Sequence, residues 1–144
     1  MMSNINTRIY NKEQMQRLAC KIADQLVVGD ILCLNGDIGS GKTTFAQYVI
    51  CRLLKNEMIE NITSPTFNLV HKYDAELFTI WHFDLYRINN IKEFYNLGFE
   101  DAMTFGISIV EWPNIIKQIL PKAALSINID FIDDHNKRKI TLLK

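Results

Sequence analysis

Gly36-Asp37-Ile38-Gly39-Ser40-Gly41-Lys42-Thr43-Thr44 is the stretch of this chain whose residue types and spacing are best suited to chemistry. It fits G-x-x-x-x-G-K-[ST] and stands between an apolar run, Ile31–Leu34, and a helical pattern, the strand–loop–helix setting that the motif requires. Phosphate oxygens need many donors converging on a small volume. Glycines let the backbone fold around them so that successive N–H groups point inward, and the following helix adds unpaired N–H groups and the positive end of its dipole. Gly36 through Thr44 are therefore the phosphate-binding set. Lys42 reaches the β- and γ-phosphates, the Thr43 hydroxyl holds Mg2+, and Thr44 can bond an α-phosphate oxygen. A glycine turn that merely carries Lys-Thr is the plain alternative, and at average residue usage such a chance match arises on the order of one time in a few hundred chains. The pattern predicts binding of a nucleoside triphosphate. It does not choose the base, because the loop contacts phosphates.

Carboxylates at strand ends would complete such a site. The run Leu77–Asp84 ends in Asp84, where a P-loop enzyme places the acidic partner of its metal, so Asp84 is a candidate ligand of Mg2+ or of its water shell. Ile107–Val110 runs into Glu111, again at the carboxyl end of a buried strand, where open α/β sheets bind ligands. Glu111 reads as a second magnesium-shell group or as the residue that orients the attacking water; a turn-stabilising carboxylate is the alternative. His82 shares a sheet face with Asp84 if the strand persists, and reads first as a packed structural residue. Arg87 can pair with a carboxylate or with phosphate. The pre-proline segment Ile62–Phe67 is either a turn entering a strand or a switch-like loop bringing Ser64 or Thr66 to the γ-phosphate or metal. Trp112 is open between core packing and an exposed anchor for a partner.

The surrounding elements follow from pattern. Asn11 followed by Gln14 starts a helix in which Met15, Leu18, Ala19, Ile22 and Leu26 share one face; its start, around Lys12, could also sit near the nucleotide base. Phe45, Val49, Leu53 and Leu54 define the helix that begins at the phosphates. Phe67–Tyr73 and Leu77–Asp84 form a hairpin, and Asn89 or Asn90 caps a short helix that Gly98 ends. Glu100-Asp101 reads as solvated surface, Ile115–Leu120 as a short helix, and Ala124–Ile132 with Arg138–Leu142 as a closing hairpin. The expectation is an α/β fold with a mixed central sheet flanked by helices, in one P-loop NTPase domain over 1–144.

Composition bounds the rest. The chain has 144 residues, 48% apolar, with 16 basic and 16 acidic side chains, so a long-range basic field for capturing nucleic acid is absent and any RNA is expected on another protein. The three cysteines, Cys20, Cys33 and Cys51, are widely spaced and form no metal-ligand pattern; they read as small core residues of a reduced compartment. Met1–Tyr10 lacks a signal-peptide apolar core and no run is long enough to span a membrane, so the expectation is a cytoplasmic protein without a membrane partner.

Taken in order, Gly36–Thr44, Ser64-Pro65-Thr66-Phe67, His82-Phe83-Asp84-Leu85-Tyr86-Arg87, Leu97-Gly98 and Val110-Glu111-Trp112-Pro113 resemble the bacterial TsaE (YjeE) family, ATPases of tRNA threonylcarbamoyladenosine modification. The resemblance spans nearly the whole chain; Asn114, where the family often has an acidic residue, is a slight departure. It implies an ATPase using ATP, yielding ADP, with Mg2+. Gly39 to Thr44 would bind phosphates, Thr43 and Glu111 would serve the metal, and Asp84 would stand in the Walker B position. Thr66 would lie in the switch-like loop and Arg138 would add a nucleotide contact, so that Lys42, Asp84, Glu111 and Thr66 carry the chemistry. It also implies partners, TsaD and TsaB homologues, which transfer the threonylcarbamoyl group to adenosine 37 of ANN-decoding tRNAs, tRNA being met indirectly through that complex. A small-molecule or nucleoside P-loop kinase, and a nucleotide-gated assembly module, are the rival readings.

Overall fold

The computed structural model describes residues 5–55, 59–63, 65 and 68–143; Ser64, Thr66 and Phe67 of the predicted switch-like segment lie outside these. Seven strands join one sheet: β1 (Ile5–Asn11), β2 (Ile31–Asn35), β3 (Val70–Asp74), β4 (Thr79–Asp84), β5 (Gly106–Glu111), β6 (Leu125–Phe131) and β7 (Lys137–Leu143), in the order β1-β7-β6-β2-β5-β4-β3. The central four, β6, β2, β5 and β4, run parallel, while β7 is antiparallel to β6, β1 to β7, and β3 to β4. The sheet is therefore mixed, as expected, with parallel strands at its buried centre.

Helices cover both faces. Period-2 alternation sends Leu32, Leu34, Ile80, Ile109, Ile127 and Ile129 to one side, against α1 (Lys12–Gln25) and α2 (Lys42–Leu54) through Ala19, Phe45, Ala46, Val49 and Ile50. Ile31, Cys33, Trp81, Phe83 and Val110 face the other way. They pack on α3 (Ile91–Tyr95), α4 (Phe99–Phe105) and a 3-10 helix, Pro113–Ile119, through Phe94, Phe99, Ala102 and Ile116. Aromatic rings dominate this second layer: Phe94 lies 5.3 Å from Phe83 and 4.7 Å from Phe99, centroid to centroid.

Helix starts follow their caps. Asn11 and Gln14 make a reciprocal capping box, each side-chain oxygen accepting the other residue's N–H at 2.8 Å, and Asn90 accepts from the Glu93 N–H at 3.1 Å. Gly98 closes α3, its N–H bonding the Tyr95 carbonyl, but at φ 96° it also opens α4. Glu100 and Asp101 are exposed, as expected, yet they belong to the first turn of this second helix, which sequence patterning leaves unseen. The expected helix over Ile115–Leu120 is the 3-10 turn, starting earlier at Pro113 because proline suits a first helical position. The edge strand β1 is a further element that patterning leaves unseen.

Cys20, Cys33 and Cys51 are free, and burial pushes the Cys33 thiol up to about 12, consistent with a packing role. Among the described residues no helix is long and apolar enough to cross a membrane.

Candidate functional site

The site lies along the carboxyl ends of the parallel strands, and the topology explains which residues meet there. β2 releases the glycine loop, while β4 and β5 deliver Asp84 and Glu111, which are register partners on adjacent strands. Two antiparallel steps, β6 to β7 and β7 to β1, bring β1 back parallel to the centre. The end of β1 and the start of α1 therefore arrive at the same rim as the β6–β7 turn and Arg138.

The loop itself is wound by glycines. Gly39 at φ 79° and Gly41 at φ 115° occupy backbone conformations that side chains resist, and a Cβ on Gly36 would stand 2.4 Å from the Ile129 carbonyl oxygen and 2.5 Å from Ser40 Oγ. The 13-residue α2 starts at Lys42 directly after it, so the helix N-terminus faces the cavity. Ser40 Oγ is buried with no partner among the described residues. An uncommitted hydroxyl in such a cradle suits an added oxyanion.

Lys42 is 5% exposed and folds back over the loop, its Nζ donating to the Gly36 carbonyl at 2.6 Å and the Asp37 carbonyl at 2.9 Å while lying 4.0 Å from the centroid of a Trp112 ring. Trp112, at φ 57°, is contacted in turn by the Tyr86 ring, tilted by 48° with centroids 4.8 Å apart. Trp112 thus roofs the loop lysine. Burial pulls the Lys42 pKa below its ordinary 10.5, opposed by the charges of Glu111, Asp84 and Asp37.

Thr43 and Glu111 meet directly. The Thr43 hydroxyl donates to Glu111 Oε1 at 2.8 Å, and Glu111 Oε2 lies 2.6 Å from His82 Nε2. Asp84 is buried alongside, its Oδ1 accepting the Tyr86 N–H at 3.1 Å. A hydroxyl and one or two carboxylates beside a phosphate cradle are hard oxygen donors of the kind Mg2+ takes, since it keeps several waters and relies on substrate phosphates for the rest. Among the described residues no group of three or more His, Cys, Asp or Glu forms a self-sufficient metal cage.

Two cavities flank the loop and share Gly39, Gly41 and Thr44. The smaller, about 360 Å³, is lined by Lys42, Thr43, Asp84, Glu111, Trp112 and, at its edge, Arg87. The larger, about 560 Å³, lies beyond Ser40 between Tyr10–Glu13, Met15, His135, Asn136 and Arg138. Arg138 Nε donates to the Ser40 carbonyl at 2.9 Å and its guanidinium lies over Phe131, so it also buttresses the loop. The expected set Gly36–Thr44, Asp84, Glu111 and Arg138 is thus gathered at one rim, whereas Thr66 lies outside the described residues. Lys12 does stand in the larger cavity. His135 and Asn136 escape sequence reading; their signal is a polar turn three residues ahead of Arg138.

Comparison with known proteins agrees with this geometry. The family model "Threonylcarbamoyl adenosine biosynthesis protein TsaE" matches residues 9–140. A protein of Rickettsia felis named tRNA threonylcarbamoyladenosine biosynthesis protein TsaE is 40% identical over 133 residues, covering 92% of this chain and 76% of that one. The Bacillus subtilis protein of the same name is 32% identical, over 97% of this chain and 85% of its own. The crystal structure of Bacillus subtilis YdiB superposes with a TM-score of 0.73 at 28% identity, covering 99% of this chain and 87% of that one. With a matching loop, sheet and family signature over nearly its full length, the chain belongs to the TsaE family.

Proposed function

We propose that this protein binds and hydrolyses ATP with Mg2+ in the biosynthesis of threonylcarbamoyladenosine at adenosine 37 of ANN-decoding tRNAs, acting with TsaD and TsaB homologues. The observation that carries the reading is the Thr43–Glu111 bond of 2.8 Å, which ties the last part of a phosphate cradle to a buried strand-end carboxylate. The family membership and the names of the relatives support the pathway.

The smaller cavity would take the triphosphate and the larger the nucleoside. Loop N–H groups and Lys42 would hold the β- and γ-phosphates, so the anion arrives where burial already disfavours a lone ammonium. Thr43 and Glu111 would hold Mg2+, which supplies charge neutralisation on the transferring phosphoryl group. Asp84, facing the same cavity from the neighbouring strand, would orient the metal's water shell or the attacking water. Hydrolysis makes little covalent demand on the protein: water adds at the γ-phosphorus and ADP leaves. Arg87 is the in-chain candidate for the transition-state cation, and slow turnover that a partner accelerates is expected. Measuring ATP hydrolysis by the purified chain, alone and with TsaB and TsaD, tests this. Stimulation by the pair, abolished by Lys42→Ala and by Glu111→Ala, is the expected result; equal rates with and without the pair would remove the partnership from the proposal.

A further inference from the structure

We infer that His82 is a positioning residue: it clamps the Glu111 carboxylate from behind so that the opposite oxygen is presented to Thr43 and to the metal. This rests on the reading of Glu111 as serving Mg2+.

His82 sits in the middle of β4 with no solvent exposure, opposite Ile109 on β5, on the face that also carries Ile80 and Asp84. A histidine kept there purely for packing would be expected to satisfy both ring nitrogens. Here the bonding is one-sided. Nε2 lies 2.6 Å from Glu111 Oε2, while Nδ1 is buried without a partner among the described residues. Against a carboxylate acceptor, Nε2 is the donating nitrogen of the ring. The ring is spent on one contact. That contact fixes a group whose terminal torsion is otherwise broad. With Thr43 donating to Oε1 and His82 to Oε2, both ends of the carboxylate are pinned and its remaining lone pairs keep one direction toward the smaller cavity. Partners of this kind, behind a metal-binding group, typically alter metal affinity or activity by about 10–100-fold when removed.

Two substitutions separate this from a packing role. In His82→Gln the amide nitrogen can reach the position of Nε2 and donate to Glu111; in His82→Leu no donor remains. Both should be checked by thermal denaturation. Mn2+ binding to the ADP complex, followed by electron paramagnetic resonance, is the primary readout, with calorimetric ADP binding in EDTA beside it. His82→Leu should weaken Mn2+ about 10–100-fold and lower kcat with little change in KM, while ADP binding in EDTA stays within about threefold. His82→Gln should recover most of the loss. Wild-type Mn2+ affinity in His82→Leu, or a His82→Gln variant that folds yet is as impaired as His82→Leu, would overturn the positioning role alone. Absence of Mn2+ binding in the wild-type ADP complex would instead overturn the metal reading of Glu111, and this inference with it.

Discussion

Replacing Lys42 by methionine separates what this cation costs the empty loop from what it does for a ligand. Methionine keeps most of the buried stem but removes Nζ, its bonds of 2.6 and 2.9 Å to the Gly36 and Asp37 carbonyls, and its contact with Trp112 at 4.0 Å. Hydrogen bonds to charged groups contribute about 1.5–3 kcal/mol each, and a partly desolvated cation–π contact about 1–2 kcal/mol. Opposing them is the desolvation of the ammonium, several kcal/mol for a buried ion. The terms nearly cancel, so the ligand-free variant should melt within about 5 °C of the wild type. Ligand binding has no such cancellation. Truncating one side of a buried charge pair costs about 2–5 kcal/mol, so ATP affinity should fall at least 30-fold or so.

Differential scanning fluorimetry with and without Mg-ATP reads both effects. At a concentration near a hundred times the wild-type Kd, ATP should stabilise the wild type by about 2.7 kcal/mol and the variant by less than about 1 kcal/mol. A pH series adds a signed check. The folded pKa of Lys42 lies below 10.5, so the unfolded chain binds that proton more tightly. The cost of the charged lysine is then fully present below its folded pKa and fades as pH rises through that value toward 10.5. Wild-type stability relative to Lys42→Met should accordingly climb on the alkaline side. An unchanged ATP-induced shift in Lys42→Met would refute the assigned role of the lysine, and a relative stability falling with pH would refute the burial account.

Three further outcomes test other parts of the structure. Glu111→Gln keeps an acceptor for Thr43 but loses the charge; ATP should still bind within about tenfold while single-turnover hydrolysis falls at least a hundredfold. Restored tRNA modification in cells carrying that variant would favour the binding-module reading. Ser108→Ala removes a buried hydroxyl with no partner among the described residues, so the unfolding free energy from urea titration should hold or rise by up to about 1 kcal/mol, with m unchanged. Gly98→Ala meets both a φ of 96° and a Trp81 ring atom 2.8 Å from the new Cβ, and should lose about 2–4 kcal/mol in the same assay.

Legibility in the sequence followed the range of each interaction. The phosphate loop and its helix are local, so nine consecutive residues announce them, and the Asn11–Gln14 capping box is equally self-contained. Asp84 and Glu111 were readable as candidates because each ends an apolar run, although their adjacency depends on β4 pairing in parallel with β5. The His82–Glu111 bond spans 29 positions, and nothing in either segment names the other. α4 is seven residues long and opens on a glycine without a side-chain cap, so neither period nor cap marks it.

β1 shows the deepest reason why pattern falls short. Its residues Asn6 to Ile9 are exposed, because an edge strand outside the helical layers buries neither face, and exposure erases the alternation by which strands are recognised. Yet its direction decides the site. Because β7 reverses the chain between β6 and β1, the end of β1 points to the same rim as β2, β4 and β5. Tyr10, Asn11 and Lys12 are thereby set across from Gly39, Ser40 and Gly41. Had β1 paired parallel to β7, its end and the start of α1 would emerge at the opposite rim and the larger cavity would lose that wall. One side of the proposed nucleoside pocket is thus fixed by strand polarity at the sheet's edge, in a segment that carries neither a motif nor a hydrophobic period.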